Sequence, residues 1–210
     1  MQKEQMIEHH LRGRGISDER VLRAMAEVPR EEFGPPALRA RAYEDHPLSI
    51  GCDQTISQPY IVALMTELLG LRGAERILEV GGGSGYQTAI LSRLAAEVYS
   101  VERISELALR ARKTLDRLDC RNVFLRVGDG FLGWEEHAPY DGILVTCAPE
   151  DVPQPLIRQL KDGGRLVLPV GSPGLIQTLW EIRKVGNKLE RRNHGGVAFV
   201  PLIRSAIPPR

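Results

Sequence analysis

The sequence predicts an α/β fold: a doubly wound, mostly parallel sheet with an N-terminal helical extension and C-terminal antiparallel strands. Three observations support this. A buried apolar strand at 77–80 runs into a glycine-rich turn and then into helical spacing. From 77 to 170, short apolar strands alternate with amphipathic helices, which is the pattern of a parallel sheet covered on both faces. After residue 176 the pattern changes to alternating stretches joined by a turn. We expect one domain, in which 1–70 is the helical and loop extension and 71–210 is the core.

The N-terminal part is expected to be helical. Residues 2–13 are polar and predict a short helix. A second helix carries apolar residues at helical spacing from Val21 to Val28, and Ser17 is its predicted N-cap. Pro29 and the Gly34-Pro35-Pro36 run end this helix.

A long polar segment with several turn-forming residues follows at 43–60 and leads into an apolar helix from Ile61. An irregular segment of this kind, just before a nucleotide-binding pattern, is a candidate lid or substrate loop. Ser57 stands where a helix N-cap belongs, so capping is the alternative to a chemical role for its hydroxyl. The segment has no Gly-x-Ser-x-Gly motif, which argues against an acyl-transfer serine.

The remaining elements are read from the same alternation. Predicted strands and helices, in chain order, are strand 77–80, helix 86–95, strand 98–102, helix 105–118, strands 123–127 and 140–146, helix 153–160 and strand 164–170. Residues 177–185 and 188–195 alternate in polarity, and the segment from Lys184 to Lys188 between them predicts a hairpin turn. A last strand is expected near 197–202.

The glycines after the first strand predict a nucleotide site. Their spacing is Gly81-x-Gly83-x-Gly85, which differs from the G-x-G-x-x-G pattern that binds a dinucleotide pyrophosphate. Glu79, inside the strand, suits a cationic or hydrogen-bond-donating ligand. Glu102 ends the next strand, close to the ~20 residues at which an acidic group reaches ribose hydroxyls in such folds. The combination favours adenosine binding over a plain tight turn.

A third acidic residue is expected at the same edge of the sheet. Asp129 stands between Gly128 and Gly130 at the end of a predicted strand, where it could accept a hydrogen bond from an adenine amino group. A turn aspartate is the alternative reading. Cys147 falls at this edge too, but no cationic neighbour marks it as a thiolate, and we interpret it as an apolar filler.

Composition limits the classes of function. The 210-residue chain has 28 basic and 27 acidic residues and a net charge of +1, so no general attraction to nucleic acid or anionic membrane is expected. The N-terminus is too polar for a signal peptide, and the three cysteines are widely spaced. Neither these cysteines nor the adjacent His9 and His10 predict a metal site. We expect a monomeric protein of the reducing cytoplasm.

Several motifs resemble those of one family. The residues Glu-Val-Gly-Gly-Gly-Ser-Gly-Tyr at 79–86 are similar to the first motif of class I S-adenosylmethionine-dependent methyltransferases, which have a Rossmann-like methyltransferase sheet. The segment 47–63, which contains Gln-Thr-Ile-Ser-Gln-Pro-Tyr, resembles the signature of protein-L-isoaspartate (D-aspartate) O-methyltransferases. Further similarity covers nearly the whole chain and lies at 128–130, 139–141, 160–171 and 197–202. Asp53 departs from the family's usual glycine.

The resemblance implies a repair reaction. Such enzymes transfer a methyl group from S-adenosylmethionine to the α-carboxylate of L-isoaspartyl residues, or to the side-chain carboxylate of D-aspartyl residues, in damaged proteins and peptides. S-adenosylhomocysteine is the other product, and the methyl ester collapses to a succinimide. By this resemblance Ser57 is the catalytic residue and orients the substrate carboxylate, Thr55 and Ile56 line the site, and Val197 and Phe199 receive the substrate.

Two other functions compete with this one. The first is a methyltransferase of the same fold that acts on RNA or a small molecule, against which the 54–63 segment and the near-neutral charge argue. The second is a cofactor-binding module without catalysis that recruits partners through 43–60. Methyl transfer to transcripts would indicate the first, and cofactor binding without turnover would indicate the second.

Overall fold

The computed structural model describes residues 2–204 and confirms the predicted α/β fold. Within that part of the chain, a seven-stranded sheet is accompanied by a separate two-stranded hairpin. The hairpin strands are β1 (Leu48–Gly51) and β2 (Gln54–Ile56). The strands of the large sheet are β3 (Arg76–Val80), β4 (Glu97–Glu102), β5 (Val123–Val127), β6 (Tyr140–Val145), β7 (Leu160–Val170), β8 (Gln177–Val185) and β9 (Lys188–Val197).

The strand order of the large sheet is β5-β4-β3-β6-β7-β8-β9. The first five strands in this order are parallel, and β8 and β9 are antiparallel to their neighbours, as the alternating C-terminal stretches predicted. The chain winds from β3 outward to β5 and then returns to the other side of β3 as β6. A crevice forms at such a reversal, at the carboxyl ends of the two central strands, and this is where α/β sheets bind ligands.

The principal helices agree with the sequence pattern. They are α1 (Gln2–Gln5), which continues as a π-helical segment over Met6–Leu11, α2 (Glu19–Glu27), α3 (Pro59–Leu69), α4 (Tyr86–Ser92), α5 (Ser105–Arg117) and α6 (Gln154–Gln159). One cap was predicted wrongly: the N-cap of α2 is Asp18, whose carboxylate accepts from the Arg20 and Val21 N–H groups, and it is not Ser17. The Ser17 N–H instead donates to Glu67 on α3.

The expected strand near 197–202 is absent from the described part of the chain. Strand β9 ends at Val197, and the following residues are irregular except for a single bridge between Ala148 and Pro201. The Val200 carbonyl accepts from the Ala148 N–H, and the Leu202 N–H donates to the Ala148 carbonyl. Among the described residues, the loop after β6 forms backbone hydrogen bonds with this segment only through Ala148. The segment therefore lacks the continuous ladder of hydrogen bonds that defines a strand.

Alternate residues of the central strands belong to two separate cores. Ile77 packs with the helices on one face of the sheet, while Leu78 packs on the other face with Trp134 and Leu156 of α6. The N-terminal extension is part of the first core, because Met6, Leu11 and Met25 lie in the same buried cluster as Ile77. No helix in residues 2–204 is long and apolar enough to cross a membrane.

Candidate active site

The glycine-rich loop lies at the reversal point, where it forms one wall of a cleft of about 910 Å³, including open solvent at its mouth. The Gly81 N–H donates to the Val101 carbonyl at 2.8 Å, which ties the loop to the end of β4. On the other side, the Thr146 hydroxyl at the end of β6 donates to the Val80 carbonyl at 3.0 Å and contacts the Gly81 carbonyl at 2.5 Å. The cleft is therefore bounded by the carboxyl ends of three adjacent strands.

Two of the loop glycines lie so close to neighbouring residues that a side chain would not fit without strain. Gly81 has φ +93°, and a Cβ there would stand 2.5 Å from the Thr146 hydroxyl oxygen. Gly85 has φ +88°, and a Cβ there would stand 3.1 Å from Ala111 on α5. Both positions combine a left-handed backbone with a close approach, which only glycine accommodates without strain. The loop follows a narrow path between β6 and α5.

Glu102 lies on the wall of the cleft, as the adenosine prediction required. Its carboxylate accepts from the Gly83 N–H at 2.7 Å through one oxygen and from the Ile104 N–H at 2.7 Å through the other. A carboxylate oxygen can accept more than one hydrogen bond, so both oxygens retain capacity for hydroxyl donors. Glu102 thus fixes the glycine loop and offers acceptors to a ligand in the cleft.

Glu79 occupies a different position. It is fully buried beneath the loop, outside the lining of the cleft. One oxygen accepts from the hydroxyls of Thr88, at 2.5 Å, and Ser100, at 2.6 Å, while the other oxygen is buried without a hydrogen-bond partner. Burial raises the pKa of Glu79 to about 7, against the lowering effect of the two hydroxyls. Its direct contact with a ligand remains a prediction.

The Asp129 carboxylate caps its own turn. It accepts from the Phe131 N–H at 2.9 Å, so the alternative reading as a turn aspartate describes one of its contacts. The Gly128 N–H donates to the Glu102 carbonyl at 3.0 Å, which places this turn beside β4. Gly130 lines the cleft, and a Cβ there would stand 2.4 Å from a Val80 methyl group. Adenine recognition by Asp129 stays a prediction.

The β1–β2 hairpin covers the cleft from the opposite side and brings Thr55 and Ile56 to its wall. Arg110 on α5 donates to the Ile50 carbonyl at 2.6 Å and so fastens the hairpin to the core. The turn at the tip consists of Cys52 and Asp53, both with φ +54°. The positive φ at Asp53 gives a physical reason why glycine is usual there in the family that the sequence resembles.

Ser57 lies in the short link between β2 and α3. It does not cap the helix: the N-cap is Gln58, and no side chain makes a capping hydrogen bond. Within residues 2–204 the Ser57 hydroxyl has no hydrogen-bond partner, while its carbonyl accepts from buried Arg30 at 2.8 Å. The alternative interpretation of Ser57 as a helix N-cap is therefore wrong, and its hydroxyl is available to a ligand.

A second cavity of about 1120 Å³, which also includes open solvent at its mouth, adjoins the first. Four residues line both cavities: Thr55, Ser57, Thr146 and Val200. The predicted substrate residues Val197 and Phe199 line only the second. Part of the backbone there is already engaged, because the Phe199 N–H donates to the Gln177 side chain at 2.8 Å and the Val200 carbonyl accepts from Ala148. We call the first cavity the cofactor cleft and the second the substrate groove.

Some residues of these walls have no role in the sequence prediction. Thr146 directly follows β6, at the edge of the sheet where the sequence predicts a ligand, but the sequence assigns no contact to it. Arg14 and His194 line the substrate groove from opposite ends of the chain, and no local pattern marks either of them. Cys147 lines the cofactor cleft, and burial raises the pKa of its thiol to about 12, in keeping with its interpretation as an apolar filler.

Comparison with known proteins identifies the family. A sequence model described as protein-L-isoaspartate(D-aspartate) O-methyltransferase matches residues 1–206. The chain belongs to this family. The protein-L-isoaspartate O-methyltransferase of Syntrophus aciditrophicus is 52% identical over 205 residues, which cover 96% of this chain and 94% of that protein. The enzyme of the same name from Dictyoglomus thermophilum is 54% identical over 192 residues, 91% of this chain and 87% of that protein.

Solved structures of protein-L-isoaspartate O-methyltransferases share the fold. One superposes with a TM-score of 0.85 at 33% identity and covers 95% of this chain, which spans 65% of that longer chain. A second, described as a protein-L-isoaspartate O-methyltransferase from Plasmodium falciparum in complex with S-adenosyl-L-homocysteine, has a TM-score of 0.82 at 26% identity and covers 96% of this chain and 98% of that one. The methyl donor of the family is S-adenosylmethionine.

The residues of the cofactor cleft fit this donor. Glycines that admit no Cβ bring the backbone close to the ligand space, and Glu102 presents acceptors suited to ribose hydroxyls. Met65 and Val101 add apolar surface to the same wall. The lining thus combines acceptors for hydroxyl groups with apolar surface, as an adenosine ligand requires.

Proposed function

We propose that this chain carries out the reaction of its family at the junction of the cofactor cleft and the substrate groove. The reaction methylates the α-carboxylate of L-isoaspartyl residues and the side-chain carboxylate of D-aspartyl residues in damaged proteins and peptides. The observation that carries the proposal is that Thr55, Ser57 and Thr146 line both cavities. Two ligands bound in the two cavities would meet at these three side chains.

On the cofactor side, we assign binding to the loop glycines Gly81, Gly83 and Gly85, to the turn glycines Gly128 and Gly130, and to Glu102, Asp129, Thr55 and Ile56. When bound, S-adenosylmethionine supplies an activated methyl group on a sulfonium. Glu102 would accept from the ribose hydroxyls and Asp129 from the adenine amino group. Glu79 would support the loop from below by holding Thr88 and Ser100, which secures α4 to β4.

On the substrate side, the groove suits an anionic peptide group. Among the described residues that line it, Arg14 and His194 are basic and none is a carboxylate. Each of the two also contacts a carboxylate outside the lining, Arg14 that of Asp45 at 2.9 Å and His194 that of Glu181 at 3.1 Å, so they would share their charge with a bound anion. The Cζ atom of Arg14 lies 3.6 Å from the centre of the Tyr60 ring, a cation–π contact that holds the guanidinium at the groove wall. Val197 and Phe199 would contact the substrate chain in an extended form, a binding mode that reads backbone shape more than sequence.

Ser57 would orient the acceptor by donating its hydroxyl hydrogen to the substrate carboxylate. Such a carboxylate has an ordinary pKa near ~4 and is ionised at neutral pH, so the chain needs no general base to activate it. The side chains then have two tasks, to hold the carboxylate oxygen towards the cofactor cleft and to exclude water. A free hydroxyl at the junction of the two cavities is suited to the first.

We also propose that residues 1–210 act as one domain and as a monomer in the cytoplasm, without nucleic acid or membrane partners. The physiological partners would be damaged proteins. After methylation, the ester would collapse to a succinimide without further help from the chain, so the enzyme starts repair and spontaneous chemistry completes it.

The test is methyl transfer from labelled S-adenosylmethionine to two synthetic peptides that differ only in isoaspartate or aspartate at one position. We expect a base-labile label on the isoaspartyl peptide alone. In Ser57→Ala, kcat should fall by about tenfold to a hundredfold, because one hydrogen bond to a charged group is lost. Binding of S-adenosylhomocysteine should be unchanged.

The matched control is Ser49→Ala, an exposed serine on the adjacent β1–β2 hairpin that lines neither cavity. It should keep the wild-type kcat. A Ser57→Ala variant with full kcat would contradict the assigned role, and label on RNA but on neither peptide would overturn the function.

A further inference from the structure

Arg30 is a buried arginine that holds the backbone of Ser57. Its side chain is 1% exposed and lies in a short 3₁₀ turn after α2. Nε donates to the Ala42 carbonyl at 2.7 Å and Nη2 donates to the Ser57 carbonyl at 2.8 Å, while Nη1 is buried without a hydrogen-bond partner. One guanidinium therefore joins the N-terminal extension to the link that carries the proposed catalytic hydroxyl.

The buried charge of Arg30 is energetically unfavourable for the folded protein. In the part of the chain that the structure describes, no carboxylate forms an ion pair with it, and its hydrogen-bond acceptors are neutral carbonyls. Burial lowers the pKa of Arg30. A buried cation without an ionic partner costs several kcal/mol of desolvation, so a side chain serving only to fill the core would be better apolar.

The Ser57 carbonyl needs a donor from outside its own segment. In α3 the first backbone hydrogen bonds go to the Gln58 carbonyl, from Ile61 and Val62, and Pro59 has no N–H to offer. Gln58 is itself fixed by its side chain, which donates to the Asp45 carbonyl at 2.9 Å. Arg30 thus holds the Ser57–Gln58 peptide group through its carbonyl, and the Asp45 carbonyl holds the neighbouring Gln58 side chain.

The other face of Arg30 contacts the cofactor side of the site. Its Cζ lies 4.9 Å from the centre of the Tyr86 ring. Tyr86 is fully buried, begins α4 directly after the glycine loop and lines the cofactor cleft. Phe33, in the same turn as Arg30, packs edge-on against Tyr86 with ring centres 5.5 Å apart. The guanidinium is therefore fixed between the two peptide segments that border the two cavities.

We propose that Arg30 is a positioning residue for methyl transfer, which sets the orientation of the Ser57 hydroxyl relative to the glycine loop through the Ser57 carbonyl and the Tyr86 ring. The inference rests on the proposed function of Ser57. Because the hydroxyl has no partner of its own in the described chain, the backbone that carries Cβ sets which positions the hydroxyl can reach by rotation about χ1. A lysine at position 30 would keep the charge but could not span both carbonyls with a planar fork.

The test is a double-mutant cycle with Arg30→Lys and Ser57→Ala, assayed with the isoaspartyl peptide and by S-adenosylhomocysteine binding. We expect Arg30→Lys to lower kcat tenfold or more and to keep S-adenosylhomocysteine affinity within threefold. In the Ser57→Ala background, Arg30→Lys should lower kcat less than twofold further, since the group that it positions is gone. A merely structural residue would give the same loss in both backgrounds.

Arg20→Lys is the matched control. Arg20 also bridges two carbonyls, those of Leu71 at 2.7 Å and Leu94 at 3.3 Å, but it lines neither cavity. The Arg20→Lys variant should have a lower free energy of unfolding than the wild type and an unchanged kcat. If Arg30→Lys does not fold, Arg30→Gln, which keeps an amide donor without the charge, replaces it in the cycle.

Each outcome is decisive. Equal losses in the two backgrounds would overturn the role of Arg30 and leave that of Ser57 intact. Full activity of Ser57→Ala alone would overturn the proposed function of Ser57 first. Loss of S-adenosylhomocysteine binding in both Arg30 variants would also count against the inference, because a general requirement for the fold would then explain the residue.

Discussion

At the scale of the residue, two carboxylates on neighbouring strands have different surroundings. Glu102 is 6% exposed, lies on the cleft wall and accepts from two backbone N–H groups. Glu79 is fully buried, accepts from two hydroxyls through one oxygen, and has no partner for the other. Glu102 can therefore accept hydrogen bonds from a ligand in the cleft, whereas Glu79 joins α4 to β4 by accepting from Thr88 and Ser100.

The raised pKa of Glu79 predicts a dependence of stability on pH. A carboxyl whose folded pKa is about 7, above its unfolded value near 4.5, favours folding below pH 4.5 and loses this contribution as the pH rises through 7. The expected loss is on the order of 3 kcal/mol as an upper bound. Glu79→Gln cannot ionise, so its free energy of unfolding should fall less than that of the wild type between pH 5 and pH 8.

Urea unfolding at both pH values measures this difference. Glu135→Gln, on the surface, is the control and should follow the wild-type profile. Parallel profiles for Glu79→Gln and the wild type would show that Glu79 is already ionised at pH 5.

At the scale of the element, the β1–β2 hairpin forms one wall of the cofactor cleft, although the backbone conformation of its turn is unfavourable for residues other than glycine. The pairs Leu48–Ile56 and Gly51–Gln54 enclose the two turn residues Cys52 and Asp53. Positive φ at both positions corresponds to a type I′ turn, for which Asn-Gly is the preferred sequence. A side chain at each position costs conformational energy that the rest of the hairpin must offset.

Asp53→Gly should therefore raise the free energy of unfolding by about 1 kcal/mol, because glycine adopts positive φ without steric strain. Asp53 lines neither cavity, so kcat on the isoaspartyl peptide should stay at the wild-type value. The urea midpoint measures the first effect and the peptide assay measures the second.

Ser49→Gly is the matched control on the same hairpin. Ser49 lies in the extended strand β1, where glycine adds only flexibility to the unfolded chain, so this variant should be less stable than the wild type. If both glycine variants destabilise to the same degree, the strain assigned to the turn is not present.

At the scale of the whole molecule, the N-terminal extension and the sheet share one core. Arg20 of α2 donates to the carbonyls of Leu71 and Leu94, on the other side of the boundary at 70. Met25 accepts from the Tyr86 hydroxyl at 3.7 Å, and Arg30 reaches from the extension to Ser57. Separating the two parts would expose the apolar faces of α2 and α3 to water.

We therefore predict that the extension and the core unfold in one cooperative transition. Hydrogen exchange at increasing urea should give the amides of α2 and of β3 the same opening free energy, while exposed amides near Asp53 exchange early. A lower opening free energy for α2 than for β3 would indicate that 1–70 unfolds separately and would contradict the single-domain proposal.

Much of the fold could be predicted because its signals are local. The strand at 77–80, the glycine turn and the helix from Tyr86 follow from neighbouring residues, as does the Gly186-Asn187 turn between β8 and β9. The failures also have local causes. Asp18 follows Ser17 directly, and either side chain can cap a helix, so only the backbone geometry distinguishes them. The 197–202 segment has strand composition but is held by Ala148.

The sequence by itself determined the fold class, the family resemblance and the edge of the sheet where the cleft lies, because each of these follows from short-range patterns. Only the tertiary structure decided that Ser57 does not cap α3, that Glu79 lies below the loop, and that two cavities meet at Thr55, Ser57 and Thr146. Contacts such as that between Arg30 and Ser57 join residues that share no helical or strand period. Periodicity reports which face of an element is buried, whereas the packing of elements against one another sets which residues meet.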